Sequence, residues 1–361
     1  MPVAAKATPW MPPEWAPHDA TWLAFPHNVA DWPGKFGAIP WAYAELVKKA
    51  SVGETVHLLV RDRAHLRRTR SILERSGIDL GRIHFHDFRT NRGWMRDTGP
   101  IFTVVAYKQP RVQVAEFGFN GWAKYPDWKL DDRVAERAAA VLGVRAVAVR
   151  HRGRKVVLEG GAIDVDGAGT LLTTEECLLD PEVQVRNPGF SRQDYEAVFA
   201  AVLGVRHTIW LGRGIAGDDT HGHVDDLARF VGPRTIVLCE EKRGQDPNHA
   251  VLEENRERLA GARLADGSKP EVVALPMPDP VIFAGQRLPA SYANFYFTNA
   301  ALLVPTFNDP QDRMALGILA ELVRDRPVVG IHALDLVWGL GTLHCLSQQQ
   351  PAPSAAPRGD S

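Results

Sequence analysis

A unit of strand, strand, helix and strand recurs along the chain, and this period constrains the fold more than any other feature of the sequence. Four segments begin at residues 101, 162, 225 and 291, spaced by 61, 63 and 66. They read IFTVVAYKQPRVQVAEF, AIDVDGAGTLLTT, DDLARFVGPRTIVLC and SYANFYFTNAALLVP. Each is a β-rich run broken near its middle by Gly, Pro or Asn, the pattern of two strands joined by a turn. A helical periodicity follows each, in DDRVAERAAAVLG, SRQDYEAVFAAVLG, NHAVLEENRERLAG and QDRMALGILAELVRD. Asp131, Ser191, Asn248 and Asp309 stand where N-caps belong, and Gly143, Gly204 and Gly261 where helices stop. The short strands RAVAV, RHTIWL, EVVAL and PVVGI close the units.

A fifth unit assembles from both ends of the chain. Its strands are LHCLS around Cys345, ATWLAF around Trp22 and TVHLLV, with PWAYAELVKKA as its helix. RAHLRRTRSILERSG and RIHFHDF then read as an insertion before the second unit. Joining the termini in one unit removes a free sheet edge. The expected fold is α/β: a five-bladed, pseudo-symmetric α/β propeller in a single domain over 1–351, with 352–361 as a flexible tail. The competing reading, an ordinary αβ protein with accidental spacing, has four matched units against it.

Composition narrows the function. Of 361 residues, 42 are Lys or Arg and 43 Asp or Glu, for a formal net charge of −1. A chain without a basic surplus is poorly suited to phosphate backbones or to a polybasic membrane anchor. The opening MPVAAKATPWMPPEW lacks the apolar core of a secretory signal, and no run approaches the ~20 apolar residues of a membrane span. Cys177, Cys239 and Cys345 make no disulfide framework and fit a reducing compartment. These features lead to the expectation of a cytoplasmic protein that takes a small-molecule substrate, with no nucleic acid and no membrane partner, and with homo-oligomerisation open.

The period also orders the polar residues. Asp97, Glu159, His223 and Cys345 fall at one phase, just before or at the first strand of their units, separated by 62, 64 and 122 residues. Asn294 lies near that phase in the remaining unit. Each residue has a plain structural reading. Asp97, in WMRDTGP, can pair with Arg96 or cap a turn. Glu159 follows an apolar strand, and a carboxylate buried there needs a partner. A single His is commonly structural, and Cys177 and Cys239, flanked by apolar residues, read as core. Cys345 differs, because it follows the glycine-bearing GLGTLH, which lets backbone approach a ligand closely.

Together the residues suggest a chemistry. Asp97, Glu159 and Asp225 suit a planar cation, and guanidinium offers carboxylates five N–H donors in a fixed fork. Its carbon is resonance-stabilised and resists water, whereas a thiolate attacks it better. Cys345 is thus the candidate nucleophile. His223 is the candidate acid that protonates leaving ammonia and the base that then activates water. This chemistry requires no metal and no organic cofactor.

WMRDTGP, LEGGAIDVDGAGTLLTTEECLL, DDTHGHVDDLARF, SYANFYFTN and GLGTLHCLSQQQP, with the opening MPPEWAPHDATWLAFPHNVADWPG, resemble the agmatine deiminase family, which includes bacterial peptidylarginine deiminases. The likeness runs from about Met11 to Pro351. It implies the guanidine-modifying pentein fold and conversion of agmatine to N-carbamoylputrescine plus ammonia. By motif it implies Cys345 as nucleophile, His223 and Asp225 as the His–Asp of GHVD, and Asp97 and Glu159 as guanidinium contacts. Trp94 of WMRD then lines the pocket, since an aromatic face suits a cation. The chain departs from the family at Arg92 and Gly93, where an Asp-Ser pair is usual, and at His221, where Asp is usual. It also carries Gly339, Leu340, Gly341, Thr342 and Leu343 where three glycines and an Asn often precede Ile-His-Cys. Arg92 suits a carboxylate-bearing guanidine, so free arginine and peptidyl-arginine stand as alternative substrates.

Two readings of other classes compete. His221, His223, Asp225 and Asp226 form an HxHxDD run like that of zinc hydrolases, with both histidines on one face of a strand. No distant ligand motif completes that site. A binding ring without catalysis would have no need of a thiol, an imidazole and carboxylates in one phase.

Overall fold

The β-rich runs fold into hairpins in the computed structural model, which describes residues 8–106 and 109–355. Ile101–Val105 pairs antiparallel with Arg111–Glu116, and Asp164–Val165 with Thr170–Thr174. Ala228–Gly232 pairs likewise with Thr235–Glu240, and Tyr296–Phe297 with Leu302–Thr306. In the second hairpin Asp166 shapes the turn, its Oδ1 accepting from Ala168 N at 2.7 Å and Thr170 N at 2.8 Å.

The second strand of each hairpin then gains a parallel neighbour: Ala146–Ala148, His207–Leu211, Glu271–Pro276 and Val328–His332 in turn. Parallel neighbours need a crossover, and the helices Val134–Leu142, Arg192–Leu203, Pro247–Ala260 and Gln311–Leu322 supply it. Their apolar stripes are buried against the sheets. Tyr195, Phe199 and Leu203 pack with Leu171 and Trp210, and Ala315 and Leu319 with Leu302 and Val304. Each such Leu or Phe contributes roughly 1.5–3 kcal/mol on burial.

A further sheet joins the two ends of the chain. Ser347–Pro351 runs antiparallel to His18–Ala24, which is parallel to Thr55–Val60, with helix Ile39–Ala50 between them. Helix Arg63–Arg75 and strand Ile83–Asp87, read from sequence as an insertion, extend this same sheet. Pro9–Trp10 adds a strand beside Ile101–Val105. The result is an α/β fold of mixed sheets. Among the described residues no helix is long and apolar enough to cross a membrane.

Local details differ from expectation. Ser191 caps its helix in a reciprocal box with Asp194, but Asp246 caps the helix in which Asn248 is already a member. Asp131 does not cap; its carboxylate accepts from Asn91 N at 2.7 Å and ties down a distant loop. Pro310 occupies the cap expected of Asp309, whose Oδ1 still accepts from Gln311 N at 2.8 Å. Gly143 and Gly204 end their helices with positive φ, whereas Gly261 remains right-handed. The strand expected over LHCLS starts only at Ser347, so Cys345 stands in the chain entering the sheet. Of the expected tail, Pro353–Ala355 forms a 3-10 turn and Ala352 N donates to Pro17 O at 2.8 Å; 356–361 lie outside the described residues.

Candidate active site

Every residue of the shared phase lies where the chain turns into the first strand of its unit. Asp97 sits in the single helical turn Met95–Thr98, before Ile101. Glu159 precedes the 3-10 turn Gly160–Ala162, and His223 the turn Val224–Asp226 that carries Asp225. Asn294 and Cys345 stand just before Tyr296–Phe297 and Ser347–Pro351. A tight turn releases these side chains from the alternation of the following strand, which would otherwise direct them between its faces.

The structure brings them together. His223 Nδ1 lies 3.8 Å from Asp97 Oδ1 and 4.0 Å from Asp225 Oδ1, and its Nε2 lies 4.0 Å from Glu159 Oε2. Cys345 Sγ is 3.7 Å from Asp225 Oδ2 and receives a hydrogen bond from Asn294 Nδ2 at 3.0 Å. All of these side chains are buried. Trp94, packed on Trp32, lines a small pocket with Asp97, Trp122 and Cys345. Two glycines permit the convergence. A Cβ at Gly161 would stand 2.5 Å from His223 Nδ1 and 2.9 Å from Asp97 Oδ1, and one at Gly341 2.9 Å from Cys345 Cβ and 2.9 Å from Trp94.

Dedicated partners hold the acids. Asp97 accepts from Trp122 Nε1 at 2.9 Å and Gly161 N at 3.2 Å. Glu159 Oε1 accepts from Arg186 Nε at 3.0 Å, both side chains being fully buried. Asp225 Oδ2 meets His344 Nδ1 at 2.6 Å, and His344 Nε2 meets Glu14 Oε2 at 2.7 Å. Glu14 also pairs with Arg96 and Arg229, each at 3.1 Å. Asn294 spans the site: Nδ2 also donates to Asp226 Oδ1 at 2.9 Å, while Oδ1 accepts from Thr342 Oγ1 at 2.7 Å.

Burial and like charge set the protonation states. Burial, then Asp225 and Glu159, push Asp97 up to about 6, against the opposing pull of His223. Burial alone would lower the His223 pKa, but Asp97, Cys177 and Asp225 outweigh it and hold the ring well above its usual value. Burial would raise Asp225, yet His344 and His223 keep it below the ordinary carboxylate value. Burial and the carboxylates Asp225, Asp226 and Asp97 drive the Cys345 thiol far up, opposed by the Asn294 hydrogen bond. In this environment the thiolate needs a positive charge beside it.

Two residues depart from their sequence expectations. Arg92 does not face the pocket as a free guanidinium: it binds Asp31 at 2.6 Å and Asp127 at 3.3 Å and lies 4.2 Å over Tyr125. Two carboxylates thus neutralise it before any ligand arrives. His221 does not share a strand face with His223. It sits at φ 67° in an irregular loop, and its Nε2 meets Asp180 Oδ2 at 2.9 Å, so the HxHxDD run does not form a ligand set. Cys177 is core, as expected, but its sulfur also lies within 4.8 Å of ligand atoms of Glu159 and His223. Cys239 is a core thiol that burial pushes up to about 12.

Sequence reasoning missed Glu14, Trp122, Arg186 and His344, and weighed Asp226 only as a member of the HxHxDD run. His344 adjoins a residue already singled out and could have been found by adjacency. Glu14, Trp122 and Arg186 lie off the repeat phase and carry no local signal. The GRGIAGDDT loop, notable for its three glycines, is pinned by Asp218, whose Oδ2 accepts from Gly222 N at 2.7 Å and His223 N at 3.0 Å. Asp219 and Thr220 of this loop form part of the pocket wall.

Known proteins resemble this chain over nearly its whole length. The family profile for Porphyromonas-type peptidyl-arginine deiminase matches residues 10–351. The agmatine deiminase of Stutzerimonas stutzeri (strain A1501) is 34% identical over 95% of this chain and 96% of its own length. That of Ectopseudomonas mendocina (strain ymp) is 33% identical over 96% of each. The solved agmatine deiminase of Enterococcus faecalis superposes with a TM-score of 0.86 at 27% identity, covering 97% of this chain and 99% of that one.

Proposed function

The chain belongs to the agmatine deiminase family, and from that membership we propose that it hydrolyses agmatine to N-carbamoylputrescine and ammonia through a covalent intermediate on Cys345. One observation carries the reading: a buried thiol, Cys345, and Asp97 line one aromatic-walled pocket, with the imidazole of His223 and the carboxylates of Glu159 and Asp225 packed against them. The chain's five larger sheets are read as the blades of a pentein ring within one domain ending near residue 351. The sheet shared by both termini and the common entry position of the site residues support that reading.

In the proposed mechanism Asp97, Glu159 and Asp225 accept the guanidinium N–H groups, and Trp94 and Trp122 wall the bound cation. The incoming charge offsets the acids that hold the Cys345 proton; that proton passes to solvent as the substrate binds, and the thiolate forms at the moment it is needed. Sulfur bonds to the guanidinium carbon. His223, protonated beforehand, gives its proton to the departing amine, and ammonia leaves as the amidino-thioether remains. His223, now neutral, takes a proton from water; the oxygen adds to the same carbon, and the C–S bond breaks as the second proton of that water passes to the departing sulfur and restores the thiol. The net reaction adds one water and releases one ammonia. Asn294 would steady the sulfur through both steps.

Arg92 also bears on substrate choice. With Arg92 met by Asp31 and Asp127, and Asp219 of the pocket wall met by Lys124, three carboxylates face two cations, so the mouth favours a cationic far end over a carboxylate. Measurement of ammonia and ureido product from agmatine, free arginine and a peptidyl-arginine tests this. Agmatine is expected to have the highest kcat/KM. Preferential turnover of free or peptidyl-arginine would refute the agmatine assignment, and no turnover of any guanidine would refute the enzyme reading.

A further inference from the structure

We propose that Glu159, Cys177 and His223 form a binding site for a thiophilic divalent cation such as Zn²⁺, and that its occupation shuts the active site. The site itself stands on geometry; the inhibition rests on the deiminase reading given above.

The three donor atoms lie within 4.8 Å of one another, and all three residues are buried. Their free valences are unusual for an interior. Glu159 Oε2 and both ring nitrogens of His223 have no hydrogen-bond partner, although Glu159 is 0% and His223 1% exposed. Buried polar atoms are normally paired, so such a concentration marks a place built to meet a ligand. The substrate guanidinium accounts for the carboxylate oxygen. It does not account for a thiol beside that oxygen and the ring.

Sulfur, nitrogen and carboxylate oxygen together form a zinc donor set. At the usual Zn–S and Zn–N lengths of about 2.3 and 2.0 Å, tetrahedral ligand atoms lie roughly 3.3–3.8 Å apart. Contraction by about 1 Å would suffice, and side-chain rotation can provide it. With the thiol proton and the proton of the His223 ring both released to solvent, Cys177 and Glu159 carry two negative charges against the two positive charges of the ion. Arg186, 3.0 Å from Glu159 Oε1, keeps that carboxylate turned so that Oε2 is the free oxygen.

The same cavity offers a second grouping, Asp225, Asp226 and Cys345. Most of its atoms are already engaged, although Asp225 Oδ1 has no hydrogen-bond partner. Asp225 Oδ2 is held by His344, and Asn294 donates both to Asp226 Oδ1 and to Cys345 Sγ. A cation there would have to displace both Asn294 hydrogen bonds, whereas at Cys177 it displaces the thiol proton and the proton held by His223. Asp97, which lines the pocket, lies 3.8 Å from His223. An ion bound to His223 and Glu159 would remove both the proton carrier and one guanidinium acceptor.

Cobalt(II) tests the site without relying on turnover, through its thiolate charge-transfer absorption in the near ultraviolet. The full-length Cys345→Ala protein is expected to bind one equivalent and to show the band, and Cys177→Ala with Cys345 intact is expected to lose it. Absence of the band from Cys345→Ala refutes the site whether or not any Cys177 variant folds. A band that persists in Cys177→Ala places the metal on Cys345 and also refutes it. For inhibition, zinc chloride titrated against agmatine turnover should silence the wild type, with EDTA restoring it. Its half-inhibitory concentration, normalised to each protein's own rate, should rise at least tenfold in Cys177→Ala. An unchanged value overturns the proposed link to activity. A chain that binds cobalt as expected but deiminates nothing would fail the functional reading and leave the metal site standing.

Discussion

Adding one methyl group at Gly161 should test the geometry of the site more sharply than deleting any catalytic atom. The new Cβ would lie 2.5 Å from His223 Nδ1, 2.9 Å from Asp97 Oδ1 and 3.1 Å from Asp225 Oδ2. Ordinary van der Waals contact begins near 3.4 Å, so the ring must retreat by about 0.9 Å. Overpacking of this kind costs roughly 1–3 kcal/mol, within the margin that keeps most domains folded. A misplacement of about 1 Å in a reacting constellation costs on the order of 100-fold in rate. Gly161→Ala is therefore expected to lower kcat about 100-fold while the circular dichroism spectrum and the cooperativity of urea unfolding stay close to wild type. Gly37→Ala is the control, because a Cβ there meets nothing within 4 Å. The assay is ammonia release from agmatine at saturation. A folded Gly161→Ala enzyme within threefold of the wild-type rate would show that His223, Asp97 and Asp225 do not act in the arrangement described.

Other perturbations separate the remaining roles. Cys345→Ala should abolish turnover without loss of fold, and a rate near wild type would remove Cys345 from the mechanism. Asn294→Ala withdraws the hydrogen bond that opposes the raised Cys345 pKa, so the rising limb of kcat/KM against pH should move to higher pH; an unmoved limb would deny the contact any part in thiolate formation. Arg186→Met leaves Glu159 buried without its cation and should cost about 3–5 kcal/mol in urea unfolding, with a loss below about 1 kcal/mol contradicting the buried pair. Asp97 binds its proton more tightly in the fold, at about 6 against 3.8, so between those values the native state holds more protons than the unfolded chain and stability falls as pH rises. Asp97→Asn should remove up to about 3 kcal/mol of that slope, and identical pH profiles for variant and wild type would rule the effect out.

The repeat was legible because strands and helices impose their own periods on apolar residues, and four hairpins, their crossover helices and the sheet shared by the termini all lie where those periods predict. Asp97, Glu159, His223 and Cys345 were legible for the same reason: a residue's phase in its unit fixes where it enters its sheet. Phase says nothing about residues recruited from elsewhere. Glu14 reaches Arg96, Arg229 and His344 from near the start of the chain, and Trp122 reaches Asp97 from a loop. The charge state of Arg92 was beyond local reading too, because Asp31 and Asp127, the carboxylates that neutralise it, are distant in sequence. Periodicity along the chain thus determines the units and the candidate site positions they carry. Only the packed tertiary structure decides which buried charges are paired and which are left free, because pairing depends on distances between segments that no local pattern encodes.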